Sequence, residues 1–361
     1  MANSVEVSKQ PTQIPLLTGL RGMAASIVLI SHAAIVGMLP SILGHGFGQV
    51  GVMIFFVLSG FLMTFLYIQR IPNKKNISSY LRARVGRVVP LYLIVVVVSV
   101  VVSNFLYREF RYSLPLADVG QILQALFFVQ APWELWTIPV EVQFYAVFVL
   151  AWMLYPKMGK GSVLLVGAAV TLPAIVYLGL WQAKPSILPT YGFAFFLGAV
   201  LAVYLPQLKR LLAGRLPGFL GAAFLVLLFV NLPGLRDEFH LSIAPGSLYI
   251  STWLDPITWV IVAGLFVCCL VGSTSLKMFD SRVFIFLGNI SYGLYLLHYP
   301  ILEITARFVG TSIVGLFVGC GASIGLAWLS YRYFERPVMA LIRGSRRSRF
   351  IGAGEGGHEG P

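Results

Sequence analysis

The sequence predicts an all-α integral membrane protein with about ten transmembrane helices and both termini cytoplasmic. Three observations predict it. The chain of 361 residues is 58% hydrophobic and only 11% charged, with a mean hydropathy of +0.85. A soluble domain is about half apolar and a quarter charged. Apolar segments near the 20-residue length of a bilayer-spanning helix recur through the chain. The basic residues are distributed unevenly between alternate connections, as cytoplasmic loops require.

The ten segments fall at 18–39, 50–69, 88–106, 138–156, 162–181, 188–206, 216–233, 254–272, 283–302 and 309–331. The stretch "VGQILQALFFVQAPWELW" at 119–136 is too short and too polar at its flanks to be an eleventh. It is expected to be re-entrant or interfacial, with protein covering its polar groups. With a cytoplasmic N-terminus, 21 of the 26 Lys and Arg residues fall on the cytoplasmic side. Only Arg108, Arg111, Lys184, Arg236 and Arg307 fall outside. The net charge of +13 is thereby explained without nucleic acid, for which no basic–aromatic box is present. Residues 1–14 are expected to be a cytoplasmic segment without a cleaved signal peptide. Residues 15–338 form the membrane domain, and 339–361 a basic, then glycine-rich, disordered tail. Neither a long soluble insertion nor a convincing internal repeat is present, so any chemistry belongs to the membrane domain itself.

Cys268, Cys269 and Cys320 lie in apolar stretches with none of the spacings of a disulfide framework or zinc site. They are expected to pack, and no metal is expected. Trp133, Trp136, Tyr249 and Trp253 gather near the outer surface, where the expected role is an interfacial belt.

Ionisable residues within a membrane helix carry a free-energy cost and point to function. In "LTGLRGMAASIVLISHA" (17–33), Arg21 and His32 are 11 residues apart, close to three turns. They therefore share a face, about 16 Å apart along the axis. That geometry suits an elongated ligand with an anionic end at the surface and a reactive end at mid-membrane. Gly22, Ala24, Ala25 and Ser26 would let neighbouring helices approach. Glu141, in "LWTIPVEVQFY", lies about 21 Å from the cytoplasmic end of its helix at Tyr155, a depth comparable to that of His32. Thr137 could cap this helix, with Pro139 in its first turn. A histidine oriented by a carboxylate is the usual base for activating a hydroxyl. Against these stand plainer readings: Arg21 as an anchor, His32 bonding a neighbouring carbonyl, Glu141 capping. Arg82, Arg84 and Arg87, in "SSYLRARVGRVVPLY", carry planar donor forks that match phosphate, or they only anchor the helix.

The motifs together resemble the membrane acyltransferase-3 family. "LTGLRGMAASIVLISHA" resembles its opening motif, Arg, ten residues, then His. "VGVMIFFVLSGFLMTF", "YLRARVGRVVPLYL" and "LWTIPVEVQFY" resemble its next three motifs. "LGNISYGLYLLHYPI" and "LSYRYFERPV" resemble its closing segments. The matches run in order from about residue 15 to 338.

The resemblance implies a bacterial inner-membrane O-acyltransferase. Such proteins take an acyl group, most commonly acetyl, from cytoplasmic acyl-CoA. They pass it to a hydroxyl of a cell-envelope or exported saccharide, sometimes lipid-linked. By position it implies that His32 is the catalytic histidine, Arg21 its partner, and Glu141 the motif carboxylate. Arg84 and Arg87 become the arginines near the donor phosphates. Some members append an extracellular hydrolase-like domain, which is not expected here. Two positions depart from the pattern: Met53 where an acid is common, and Pro139 where Ser is common. His298, in "LLHYP", matches the motif but is expected to be structural, bonding a neighbour. On this reading Arg21, Arg84 and Arg87 bind the CoA phosphates. His32 either deprotonates the acceptor hydroxyl or carries the acyl group itself, and Ser59 is a candidate oxyanion donor. A transporter or flippase of a lipid-linked saccharide is the alternative from another class.

Overall fold

The computed structural model of the chain describes residues 15–44, 46–106, 114–181, 186–214, 216–239 and 252–344. The N-terminal segment, the glycine-rich tail, and Arg108, Arg111, Lys184, Arg215 and Tyr249 lie outside the described residues. No strand is present among those described.

Each of the ten apolar segments is helical. The helices are α1 Pro15–Ile35, α2 Phe47–Tyr67, α3 Lys74–Val101, α4 Val119–Leu126, α5 Thr137–Met158, α6 Gly161–Trp181 and α7 Leu188–Val203. There follow α8 Leu205–Leu211, α9 Leu216–Val230, α10 Pro233–Glu238, α11 Pro256–Leu270, α12 Arg282–Phe308, α13 Ile313–Ser330 and α14 Arg336–Arg343.

Ten crossings are not confirmed: among the described residues five helices are long and apolar enough to cross a membrane, or up to seven if two bent pairs each count as one span. The pairs are α7 with α8, bent by 69°, and α11 with the 3-10 turn Thr274–Asp280, bent by 83°. The difference has a physical basis. α9 has 15 residues, fewer than the roughly 20 a bilayer needs. α12 has 27 residues, but its Asn, Ser, Tyr and His side chains make it too polar to count by composition. α14 carries helical structure across residue 339 to Arg343 and packs on α3.

Five helices form the centre. α1 lies between α2 and α12, α2 packs against α7, and α13 backs α12. Bare glycines set these crossings. A Cβ on Gly288 of α12 would stand 1.9 Å from the backbone oxygen of Thr18, and one on Gly22 of α1 2.2 Å from that of Phe284. Gly19 meets the backbone oxygen of Phe279 at 1.6 Å by the same construction. α2 and α7 interlock likewise, Gly60 against Phe195 and Gly198 against Val57. Without a hydrophobic gain between helices in lipid, such close backbone approach is the main source of packing. The small residues Ala24 and Ala25 are buried beside them. Met53 is fully buried in the core, so no acid could stand there without a partner.

The stretch at 119–136 does not span. α4 has only eight residues, and the chain then turns through Phe128 (φ 56) and Trp133 (φ 52). A 3-10 turn, Trp133–Trp136, runs directly into α5. Three of its backbone carbonyls are bonded by protein side chains. Tyr92 Oη donates to Ala125 O (3.0 Å), and Gln143 Nε2 donates to Phe128 O and Val129 O (both 2.8 Å). Because the turn continues into the helix, Thr137 is not a cap. Trp136 is not part of a lipid-facing belt either. It is buried, 4.4 Å from Tyr191 between ring centroids and near Phe56 and Trp253.

Outside the spans, Asp255 caps α11 by accepting from Ile257 N and Thr258 N, and it pairs with Arg236. Burial pushes its pKa up, but these hydrogen bonds and the guanidinium more than offset that and hold it below the usual carboxylate range.

The crossing of α1 and α12 yields a stability prediction. Gly288→Leu should destabilise the detergent-purified protein by the upper end of the ~1–3 kcal/mol typical of overpacking, or more. Gly321→Ala, on a part of α13 where an added Cβ meets nothing within 4 Å, should leave the melting temperature unchanged or raise it. Thermal unfolding followed by loss of monodisperse elution measures both.

Candidate functional site

The glycine crossing brings His32 of α1 against His298 of α12, 266 residues apart in sequence. His298 is 1% exposed. Its Nδ1 lies 2.9 Å from Leu294 O and 2.8 Å from Tyr295 O. Its Nε2 lies 2.7 Å from Nδ1 of His32, which is also 3.1 Å from Val28 O. The other nitrogen of His32, Nε2, points away from the helices and lies 3.3 Å from Oε1 of Glu134. The Tyr299 ring flanks the imidazole at 4.7 Å between centroids.

The pairing of His32 with Glu141 is therefore not formed, and Glu134 takes that place. His32 lines a different cavity from Glu141, and the carboxylate it meets there is Glu134. The signal for Glu134 was present in the sequence as an acid between two tryptophans in an apolar stretch, "WELW". The 3-10 turn holds it, and Tyr295 Oη donates to its backbone oxygen at 2.9 Å. Trp133, the residue before it, sits in the left-handed region. A side chain there costs of order 1–3 kcal/mol and is found mostly where function fixes the backbone. Oε2 of Glu134 is buried with no hydrogen-bond partner, an acceptor left open beside the histidine.

Glu141 sits in a different compartment. Its Oε1 accepts from Ser59 Oγ and from Tyr145 Oη, each at 2.6 Å. Ser59 is thus committed to a carboxylate rather than standing free as an oxyanion donor. Arg21, Arg84 and Arg87 line the same narrow cavity, of about 70 Å³. They also line a much larger one of about 690 Å³ that opens at the other end of α1. Arg336 and Arg343 stand exposed at the rim of this larger cavity, with Glu335 buried beside them. Arg84 Nε is buried without a partner. Arg82, on another face of α3, is exposed and lines neither cavity.

His32 and Glu134 face a third cavity, of about 530 Å³. Its walls are amides and aromatics rather than cations: Gln49, Gln121, Gln124 and Gln130 with Trp133 and Tyr191. Val52 and Tyr295 line both this cleft and the narrow cavity. The three spaces therefore follow one another along α1. A cationic mouth leads to a constriction holding Glu141, then a septum at Val52 and Tyr295, then a neutral cleft at His32. No group of three or more metal-ligating side chains occurs among the described residues.

Chemically, the mouth offers five guanidinium groups, whose planar forks match phosphate oxygens bidentately. The cleft offers one imidazole nitrogen, one carboxylate, and neutral donors and acceptors suited to hydroxyl and amide groups.

The chain is 25% identical to the peptidoglycan O-acetyltransferase OatA of Listeria monocytogenes over 90% of its own length and 56% of that protein's. It is likewise 25% identical to the O-acetyltransferase OatA of Staphylococcus aureus, over 92% and 58%. The chain thus spans a little over half the length of these curated relatives. No solved structure matches it. The profile of the acyltransferase-3 family, described as an acyltransferase domain, matches residues 14–332, and the chain belongs to that family.

Proposed function

We propose that the protein is a bacterial inner-membrane O-acyltransferase. It moves an acyl group, most simply acetyl, from acyl-CoA to a hydroxyl of a cell-envelope saccharide. The observation that carries the reading is the placement of one reactive imidazole nitrogen where a neutral cleft meets the end of a path that begins among five arginines. Two relatives are named for O-acetyl transfer, one of them to peptidoglycan, which supports a glycan hydroxyl as the acceptor.

The basic mouth is the cytoplasmic side on this reading, in keeping with the excess of Lys and Arg assigned there by sequence. Arg336 and Arg343 at the rim and Arg21, Arg84 and Arg87 further in bind the phosphates of the donor. The pantetheine arm lies along α1, where Glu141, already satisfied by Ser59 and Tyr145, supplies a counter-charge to the inner arginines. The septum at Val52 and Tyr295 must open for the thioester to reach His32. The acceptor occupies the cleft, its hydroxyl beside His32 Nε2 and Glu134, and its ring and amide groups against the glutamines and aromatic side chains.

Two routes use the same atoms. In direct transfer, Nε2 removes the hydroxyl proton as oxygen attacks the thioester carbonyl, and the thiolate leaves towards the mouth. In the two-step route, Nε2 attacks the thioester, the thiolate leaves, and the hydroxyl oxygen then takes the acyl group from the imidazole. Glu134 accepts the hydroxyl proton in that second step.

Membranes given radiolabelled acetyl-CoA and a pool of cell-envelope glycans test the reading. His32→Ala should lower label transfer by the ~10²–10⁴-fold that a positioned base contributes. Equal transfer by wild type and variant at equal expression would remove acyl transfer at His32 from consideration. Glu134→Gln should lower kcat about 100-fold with donor KM unchanged. Glu141→Gln, which acts on the donor side, should instead chiefly raise donor KM. Removing one phosphate contact costs about 1.5–3 kcal/mol, so Arg84→Ala should raise the KM for acetyl-CoA about 10–100-fold. The KM for the glycan should stay the same, as steady-state kinetics with each substrate varied in turn will show.

A further inference from the structure

The hydrogen bonds around His298 determine where every proton in the histidine pair lies. A backbone carbonyl only accepts. His298 Nδ1 is 2.9 Å and 2.8 Å from two carbonyl oxygens, so it carries the proton and donates. In a neutral ring, Nε2 is then a bare acceptor. It lies 2.7 Å from His32 Nδ1, which also faces the carbonyl of Val28 at 3.1 Å. Two acceptors converge on that nitrogen, so it too carries a proton, shared between them and closer to His298. In the neutral ring this leaves the lone pair of His32 on Nε2, facing the cleft; Glu134 Oε1, 3.3 Å away, accepts from Nε2 only once that nitrogen has taken up a proton.

We propose that His298 is a positioning residue. It acts as a fixed acceptor that holds the proton of His32 on Nδ1 and so makes Nε2 the reacting nitrogen. The assignment rests on the reading of His32 as the acyl-transfer residue. The arrangement differs from a triad in which a carboxylate orients the far nitrogen of the imidazole. Here a second imidazole does so, and the carboxylate, Glu134, stands on the reacting side.

The chemistry follows directly. When Nε2 takes a proton from the hydroxyl, or an acyl group from the thioester, positive charge develops on the ring. The Nδ1–H bond to His298 strengthens as it does so, and no proton needs to pass between the two histidines. The buried ring of His298 is itself fixed by two carbonyls one turn back on α12, so it cannot rotate to offer a donor instead. The polar side chains facing the pair are Glu134 from the turn before α5, Gln49 from α2, and Tyr295 and Tyr299 from α12.

The test uses the full-length protein in nanodiscs. Nitrogen-15 spectra of histidine-labelled protein, assigned with His32→Gln and His298→Gln, should show a protonated Nδ1 and bare Nε2 in His298 and a protonated Nδ1 in His32. A bare Nδ1 in His32, or a protonated Nε2 in neutral His298, would overturn the proposal, whatever the activity of the protein. Kinetics then separate positioning from packing, using acetyl-CoA and a soluble muropeptide as probe substrates. Gln can place a carbonyl oxygen near the position of the lost Nε2. His298→Gln should therefore keep kcat within about threefold of wild type. His298→Leu should lower kcat about 10–100-fold with the muropeptide KM within about twofold, because Val28 O still holds part of the proton. Equal impairment of the Gln and Leu variants, or wild-type kcat in the Leu variant, would contradict it. Full activity of His32→Ala would instead remove the functional reading while leaving the spectral result intact.

Discussion

The close crossing of α1 and α12 is the constraint on which the rest depends. Arg21 and His32 both lie on α1, so the direction of that helix sets where a ligand's anionic end and its reacting end can be. His298 lies on α12. Its ring reaches His32 at hydrogen-bonding distance because Gly22 and Gly288 let the two backbones approach to where no Cβ fits. In lipid, packing of this kind replaces the hydrophobic drive available in water. The same contact that holds the bundle together also brings the two imidazoles within hydrogen-bonding distance.

The second organising feature is the separation of charge along α1. Guanidinium groups crowd one end and amides and aromatics the other, with two carboxylates between them in different roles. Glu141 has both of its hydroxyl partners and lies among arginines, where it offsets their mutual repulsion. Glu134 has an unpartnered oxygen and lies beside an imidazole, where an acceptor proton can go. Buried charge costs free energy unless it is compensated. Each carboxylate is placed where either the protein or a substrate supplies that compensation. On the proposed reading, an anionic, elongated donor and a neutral hydroxyl acceptor are the ligands these two ends would discriminate.

Much of this could be read from the residues. The ten helical segments, the shared face of Arg21 and His32, and the small residues that let α1 approach its neighbours follow from spacing and residue size alone. The number of crossings is not confirmed, because the bends at Tyr204 and Gly272 turn on tertiary packing rather than on apolar length. The carboxylate facing His32 was missed for a related reason. The depth count from Tyr155 considered only the carboxylate inside α5, Glu141. The one that meets His32 comes from the 3-10 turn Trp133–Trp136 in front of that helix. The partnership of His32 with His298 spans 266 residues, and no local pattern encodes it. The expectation that His298 bonds a neighbour did anticipate its hydrogen bonds to the Leu294 and Tyr295 carbonyls and to His32.

The central claim is that donor and acceptor reach His32 from opposite ends of the protein, past a septum at Val52 and Tyr295. Sealed proteoliposomes with the Arg343 end facing outward test it most directly, with acetyl-CoA and a soluble muropeptide placed on chosen sides. Label should reach the muropeptide only when acetyl-CoA is outside and the muropeptide is enclosed. Equal transfer with both substrates on the outside, or transfer with the two sides exchanged, would contradict the account.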